Sequence, residues 1–179
     1  MAKRKIIKLV LASFLLASPV LAQDNGAAAL AAAGCGPRAT EFNVTKQGKQ
    51  HPIPQAQPGT ATVAVISQLG VCVGCRNILR VGIDSAWVGA NDGHAYSFSS
   101  VQPGDHHVCV AYQSKLKGRS ETSAALAVAA EPGNVYYFLA TIVRGGQLVL
   151  KPVDSAEGPI MIKSAAFDTS EAKKSAGNP

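Results

Sequence analysis

The chain has 179 residues, 47% of them hydrophobic and 16% charged, with a formal net charge of +6. Four of its 17 basic residues (Lys3, Arg4, Lys5 and Lys8) lie at the extreme N-terminus, and 17 less 4 leaves 13 basic against 11 acidic groups elsewhere, a net +2. So small a balance excludes the broad positive field that nucleic-acid binding needs.

The basic N-terminus is followed by an apolar run from Leu9 to Val20, and Val20-Leu21-Ala22 sets small residues at the two positions a signal peptidase reads. Residues 1–22 are therefore expected to be a secretory signal peptide, too short for a spanning helix. The mature chain would start at Gln23, in the periplasm or secreted. What remains, 179 less 22 or 157 residues, suits one domain with tails.

Residues 23–33 are Ala-rich and offer no polar face, which reads as a tether. Ala33-Gly34-Cys35 has a faint likeness to a lipoprotein processing box. However, Asp24 and Asn25 interrupt the approach, and Ala32 stands where a larger aliphatic residue is usual. Membrane contact is expected only with Cys35 lipidated. Residues 46–59 hold three prolines and two glycines and are expected to form an extended linker that packs no core. Within the 23–59 extension, only the stretch around 35–44 is expected to pack.

From about 60 to 165 the texture changes. Short β-branched and aromatic runs appear at 63–66, 78–83, 86–88, 96–98, 108–112, 125–128, 135–143 and 148–150. Gly, Pro and Asn divide them at Asn91-Asp92-Gly93, Pro103-Gly104-Asp105, Pro132-Gly133-Asn134 and Gly145-Gly146. This spacing predicts an all-β fold, an antiparallel β-sandwich. The Gly145-Gly146 pair predicts a hairpin. A short helix is expected near 156–164, with Glu157 favouring the dipole of its first turn. The run at 135–143 is apolar on both faces, so it should lie mid-sheet with the core on one side. Its other side would be covered by that helix or by the 35–44 segment. Residues 166–179 are expected to be a flexible tail.

Three stretches resemble PEGA-type small β-sandwiches of bacterial envelopes. They are Val81-Gly-Ile-Asp84-Ser-Ala-Trp-Val-Gly89, Val101-Gln-Pro-Gly104-Asp-His106-His-Val-Cys-Val110 and Pro132-Gly133-Asn-Val-Tyr136-Tyr137-Phe. The likeness covers roughly residues 76–155, and Ser85 departs from it where glycine is usual. It implies a PEGA- or immunoglobulin-like sandwich with an accessory envelope role, no catalysis, and no catalytic residue to carry over.

Four cysteines (Cys35, Cys72, Cys75 and Cys109) follow the signal, and an even number in an exported chain favours disulfides. Three pairings exist. Val108 and Val110 are better core residues than Cys109, so strand alternation puts Cys109 on the outer face, where a draped segment must reach it. The expected pairing is Cys35–Cys109 with Cys72–Cys75. Cys72-Val-Gly-Cys75 is a CxxC, but a redox motif wants a following helix to stabilise the thiolate. Here Arg76 and a β-like run follow, so a structural disulfide is favoured over redox or zinc chemistry.

His106 and His107 are adjacent on a strand and point to opposite faces, so they cannot share a metal ion, and His94 is remote in sequence. Neither a metal nor a cofactor is expected. No nucleophile-elbow motif appears, and the acids are scattered, against glycosidase chemistry. Lys115, Lys117 and Arg119 form a basic tip that could touch an anionic polymer but reads more simply as a solvated turn. Trp87 is either a sugar-stacking platform or a packing residue, the latter favoured. The reading is a non-enzymatic exported envelope accessory or binding module. Its partner would be an envelope protein or polysaccharide and not nucleic acid. The alternative is a thiol–disulfide protein acting through Cys72 and Cys75.

Overall fold

The computed structural model describes residues 35–37, 39–48, 50–70, 76–113 and 122–173. Among the described residues ten strands run in chain order: β1 (Phe42–Lys46), β2 (Ala61–Gln68), β3 (Ile78–Ile83), β4 (Ala86–Asp92), β5 (His94–Val101), β6 (Gly104–Gln113), β7 (Ser123–Ala130), β8 (Val135–Ile142), β9 (Leu148–Val153) and β10 (Ala166–Ala172). A helix, α1 (Glu157–Ser164), precedes β10, and Glu157 lies in its first turn as expected. The strands form a six-stranded sheet, ordered β1-β10-β5-β2-β8-β9, and a four-stranded sheet, ordered β4-β3-β6-β7. The fold is all-β and sandwich-like.

The core follows from period-2 alternation. Val63 and Val65, Leu79, Val81 and Ile83, Val108 and Val110, Phe138 and Ala140, and Leu148 and Leu150 face inward between the sheets. Each such aliphatic side chain contributes about 1.5–3 kcal/mol when fully buried. The intervening residues of β2 and β8 are apolar too. Ala64, Ile66, Tyr137 and Leu139 join Tyr96 in a second cluster on the far face of the six-stranded sheet, which Ile162 of α1 covers. The two-sided apolar pattern at 135–142 thus belongs to a strand between β2 and β9, and the helix is its cover. The 35–44 segment serves the other sheet.

Two pairings depart from the antiparallel expectation. β2 and β8 run parallel, and so do β10 and β5 at Ala166 and Phe167. The first arises at the turn after β7. Thr62 donates its N–H to the Asn134 carbonyl, and Gly133 donates to Thr60, so β8 starts beside the start of β2. The chain has crossed from one sheet to the other rather than folding back as a hairpin. The β8–β9 hairpin at Gly145-Gly146 is antiparallel as expected.

Residues 166–172 are not a loose tail. They form β10, which pairs along its length with β1, from Phe42 opposite Ala172 to Lys46 opposite Asp168. The sequence AFDTSEA hides this because its polar residues serve the ladder of the opposite sheet. Ser170 Oγ accepts the Ala90 N–H at 2.8 Å, and Asp168 Oδ2 accepts the Asp92 N–H at 2.7 Å. Both amides lie on β4. Residues 50–60 have no regular structure, in keeping with an extended segment, yet they pack. Pro54 is buried, Tyr96 Oη donates to the Pro52 carbonyl at 2.8 Å, and Thr62 Oγ1 donates to Gln55. The signal peptide, the 23–33 tether and residues 174–179 lie outside the described residues.

Candidate functional site

The outer face of the four-stranded sheet carries Ile78 and Arg80 from β3 and Cys109 and Ala111 from β6. The segment 35–44 roofs it. Cys35 and Cys109 form a disulfide with a Cα–Cα distance of 5.5 Å, as the alternation of Cys109 with two inward valines predicts. Phe42 and Val44 are buried against Ile78 and Ala90. Gln113 ties the roof from below: its Oε1 accepts the Phe42 N–H at 2.8 Å, and its Nε2 donates to the Phe42 carbonyl at 3.3 Å.

Trp87 lies under this roof and is no open platform. Its Nε1 donates to the Pro37 carbonyl at 2.9 Å, and Gly36 rests on the indole so closely that a Cβ there would lie 2.7 Å from Nε1. On the sheet side, the Arg80 guanidinium stands 4.6 Å from the ring centroid, a cation–π geometry. Arg80 is 1% exposed and donates from Nη1 to the Thr40 carbonyl. The packing reading of Trp87 is the one this geometry supports. Lys115, Lys117 and Arg119 lie outside the described residues, as do Cys72 and Cys75.

The two-residue turn between β3 and β4 places Asp84 and Ser85 at positive φ, 50° and 65°. Asp84 Oδ1 accepts the His107 N–H, and Oδ2 meets His106 Nδ1 at 2.6 Å. His106 Nε2 faces the Gln102 carbonyl, also at 2.6 Å. Both ring nitrogens thus face acceptors, which only the imidazolium satisfies. The Asp84 hydrogen bond, with that to Gln102, raises the His106 pKa above its ordinary 6.5. At Asp84 partial burial pulls upward, but the His107 and His106 hydrogen bonds outweigh it and hold the carboxyl below 3.8. This is a structural clasp, since neither ring nitrogen is left to take a proton from a substrate. Among the described residues no three His, Cys, Asp or Glu side chains gather as metal ligands.

A second acidic group sits where β1, β4 and β10 meet. Asp168 is 2% exposed, and its Oδ1 has no hydrogen-bond partner. Burial pushes its pKa to about 6, and the hydrogen bond from the Asp92 amide only partly offsets this. Asp92 in turn pairs with Arg76 at 2.8 Å, and Arg76 Nη2 donates to the Val44 carbonyl. Arg76 directly follows Cys75. The described residues on either side of 71–75 meet where Asn77 Nδ2 donates to the Gly70 carbonyl.

A concave feature that could take a ligand opens beside β7. It is a half-open groove of about 520 Å³ walled by Ala127 and Val128 of β7, Val135 and Tyr136 of β8, and Pro152 and Val153 of β9. Its mouth is fixed by the turn after β7. The Glu131 N–H donates to Tyr136 Oη at 3.0 Å, and Asn134 Nδ2 donates to Glu131 Oε2 at 3.1 Å. The lining is mixed: Val128, Val135 and Val153 are apolar, and Tyr136, Asn134 and Ser155 bring polar groups. Comparison with protein-family models, curated proteins and solved structures finds no match to this chain. The groove, the buried Asp168 and the Asp84–His106 clasp therefore stand on geometry alone.

Trp87 lies under the roof and takes no part in the groove, which Tyr136 and Tyr137 line between β7 and the β8–β9 pair. The groove was not foreseen, because it depends on the parallel arrival of β8, which no local motif announces. Asp168 was missed because it was assigned to the tail.

Proposed function

We propose that the protein is a non-enzymatic accessory or binding module of the cell envelope, exported to the periplasm or secreted, which takes an extended apolar segment of an envelope component into the groove beside β7. The observation that carries this reading is the groove itself, where Val128, Val135 and Val153 share the lining with Tyr136, Asn134, Ser155 and backbone polar groups. Such a mixed surface suits a protein chain, which presents apolar side chains beside its own backbone donors and acceptors. The Cys35–Cys109 disulfide supports an oxidising compartment, and the resemblance to PEGA-type domains supports an accessory role. The test is NMR titration of the labelled protein with a panel of uncharged apolar hexapeptides and with soluble cell-wall oligosaccharides. The expected result is peptide-induced shifts at Val128, Tyr136 and Val153 that Tyr136→Ala weakens. Shifts only with the oligosaccharides, or none at these residues, overturn it.

A second reading, thiol–disulfide exchange through Cys72 and Cys75, is favoured by one observation. A buried carboxyl with a pKa near 6 is linked through Asp92 to Arg76, the residue after Cys75. A pair that equilibrates with mild thiol reductant supports this reading, and one that resists it supports a structural disulfide.

A further inference from the structure

The two sheets have four edge strands: β1, β9, β4 and β7. Three are blocked. β1 is five residues long with exposed Asn43, Thr45 and Lys46, and its Val44 carbonyl is taken by Arg76. β9 carries Lys151 and Pro152. β4 has its Ala90 and Asp92 amides capped by Ser170 and Asp168. These are the usual devices against strand addition.

β7 has none of them. Its eight residues, SAALAVAA, include no charge and no proline. Tyr112 donates to the Thr122 carbonyl, which fixes the parity of the β6–β7 ladder. Ala124, Leu126, Val128 and Ala130 therefore bond to β6, while Ser123, Ala125, Ala127 and Ala129 turn their N–H and C=O groups to the open side. No other described residue takes those groups, and Ala127 and Ala129 are exposed. A strand that long, apolar and unguarded is a template for another strand.

The strand is also complementary to itself. A two-fold axis at Ala127 brings outward-facing residues together in an antiparallel ladder. Ala125 then faces the partner's Ala129, and Leu126 faces the partner's Val128, with no charge opposite a charge. We propose that β7 pairs antiparallel with β7 of a second copy about this axis. The pairing joins the two four-stranded sheets into one eight-stranded sheet. It also completes the groove, because the partner's Leu126 lies opposite Val128, where β7 forms the groove wall. The free edge of each copy is consumed, so association stops at the dimer. The inference does not rest on which ligand the groove takes.

Sedimentation equilibrium of the exported protein tests it. The wild type is expected to be a dimer. Ala127→Lys leaves the exposed side chain free in the monomer but sets two ammonium groups face to face at the axis, and it is expected to weaken the dimer on the order of tenfold. Ala127→Pro removes an outward N–H that β6 does not use and is expected to act in the same direction. Should Ala127→Pro fail to fold, Ala127→Lys alone decides. A wild type that is monomeric at its highest soluble concentration overturns the proposal, as does an Ala127→Lys dimer of undiminished affinity.

Discussion

At Gly158 the helix α1 approaches the Tyr137 ring so closely that a Cβ would enter it. Tyr137 is buried, with its ring wedged between α1 and β8, and has little room to move aside. Alanine in an exposed helix interior ordinarily gains roughly 1 kcal/mol over glycine. Here the sign reverses, and Gly158→Ala is expected to destabilise the fold by about 1–3 kcal/mol through overpacking. Urea denaturation of the two proteins measures it, and a stabilised variant would mean that α1 rides higher on the sheet than described. At this scale the sequence was legible where alternation decides. Val108, Cys109 and Val110 revealed both their faces and the need for a crosslink. It was not legible at Asp84, whose partners His106 and His107 lie on another strand, nor at Trp87, whose cover comes from residues 35–37.

Among the elements, the strands that bury apolar side chains announced themselves, and β1 and β10 did not. Their ladder residues are largely polar: Asn43, Thr45 and Thr169 are exposed, while Asp168 and Ser170 spend their polarity on hydrogen bonds to β4. The roof is where these elements matter most to stability. Cys35 and Cys109 are 74 positions apart, and opening such a loop costs on the order of 4 kcal/mol in the chain-entropy model. Deleting residues 23–33 is expected to leave the melting temperature unchanged. Deleting 23–44 removes the crosslink, most of β1 and the buried Phe42 and Val44, and is expected to lower the melting temperature markedly. A pair of thermal melts under oxidising conditions decides, and equal melting temperatures would show that the roof adds nothing to stability.

For the molecule as a whole, three groups set the pH of greatest stability. Asp168 has a raised pKa, so its contribution is full below 3.8 and is lost as pH climbs through about 6. His106 is also raised, so its contribution is full below 6.5 and is lost as pH climbs through its higher folded value. Asp84 is lowered, so its contribution is full above 3.8 and fades only as pH falls through its lower folded value. Asp168 and His106 thus weaken the fold toward neutrality and Asp84 weakens it at lower pH, which places the maximum on the acid side of neutrality, at about pH 4–5. The urea midpoint is expected to fall between pH 5 and pH 8, and Asp168→Asn is expected to flatten the part of that fall near pH 6. A midpoint that rises over this interval, or an Asp168→Asn profile that matches the wild type, contradicts the assignment. The all-β architecture was legible from turn spacing alone. The sheet order was not, because β8 beside β2 and β10 between β1 and β5 are long-range pairings that no local pattern encodes.

The placement of β10 also governs the order in which the molecule can be completed. A chain that emerges N-terminus first delivers β1 early, but its ladder partner among the described residues is β10, more than a hundred residues later. The 35–48 stretch must therefore wait through more than a hundred residues before it has an edge to join. Cys35 waits as well, for Cys109, and Cys72 and Cys75 come into reach first. An early bond from Cys35 to either of them would have to be exchanged before the roof could close. The roof thus closes late in folding, and thiol–disulfide exchange is the step that would release a premature Cys35 bond.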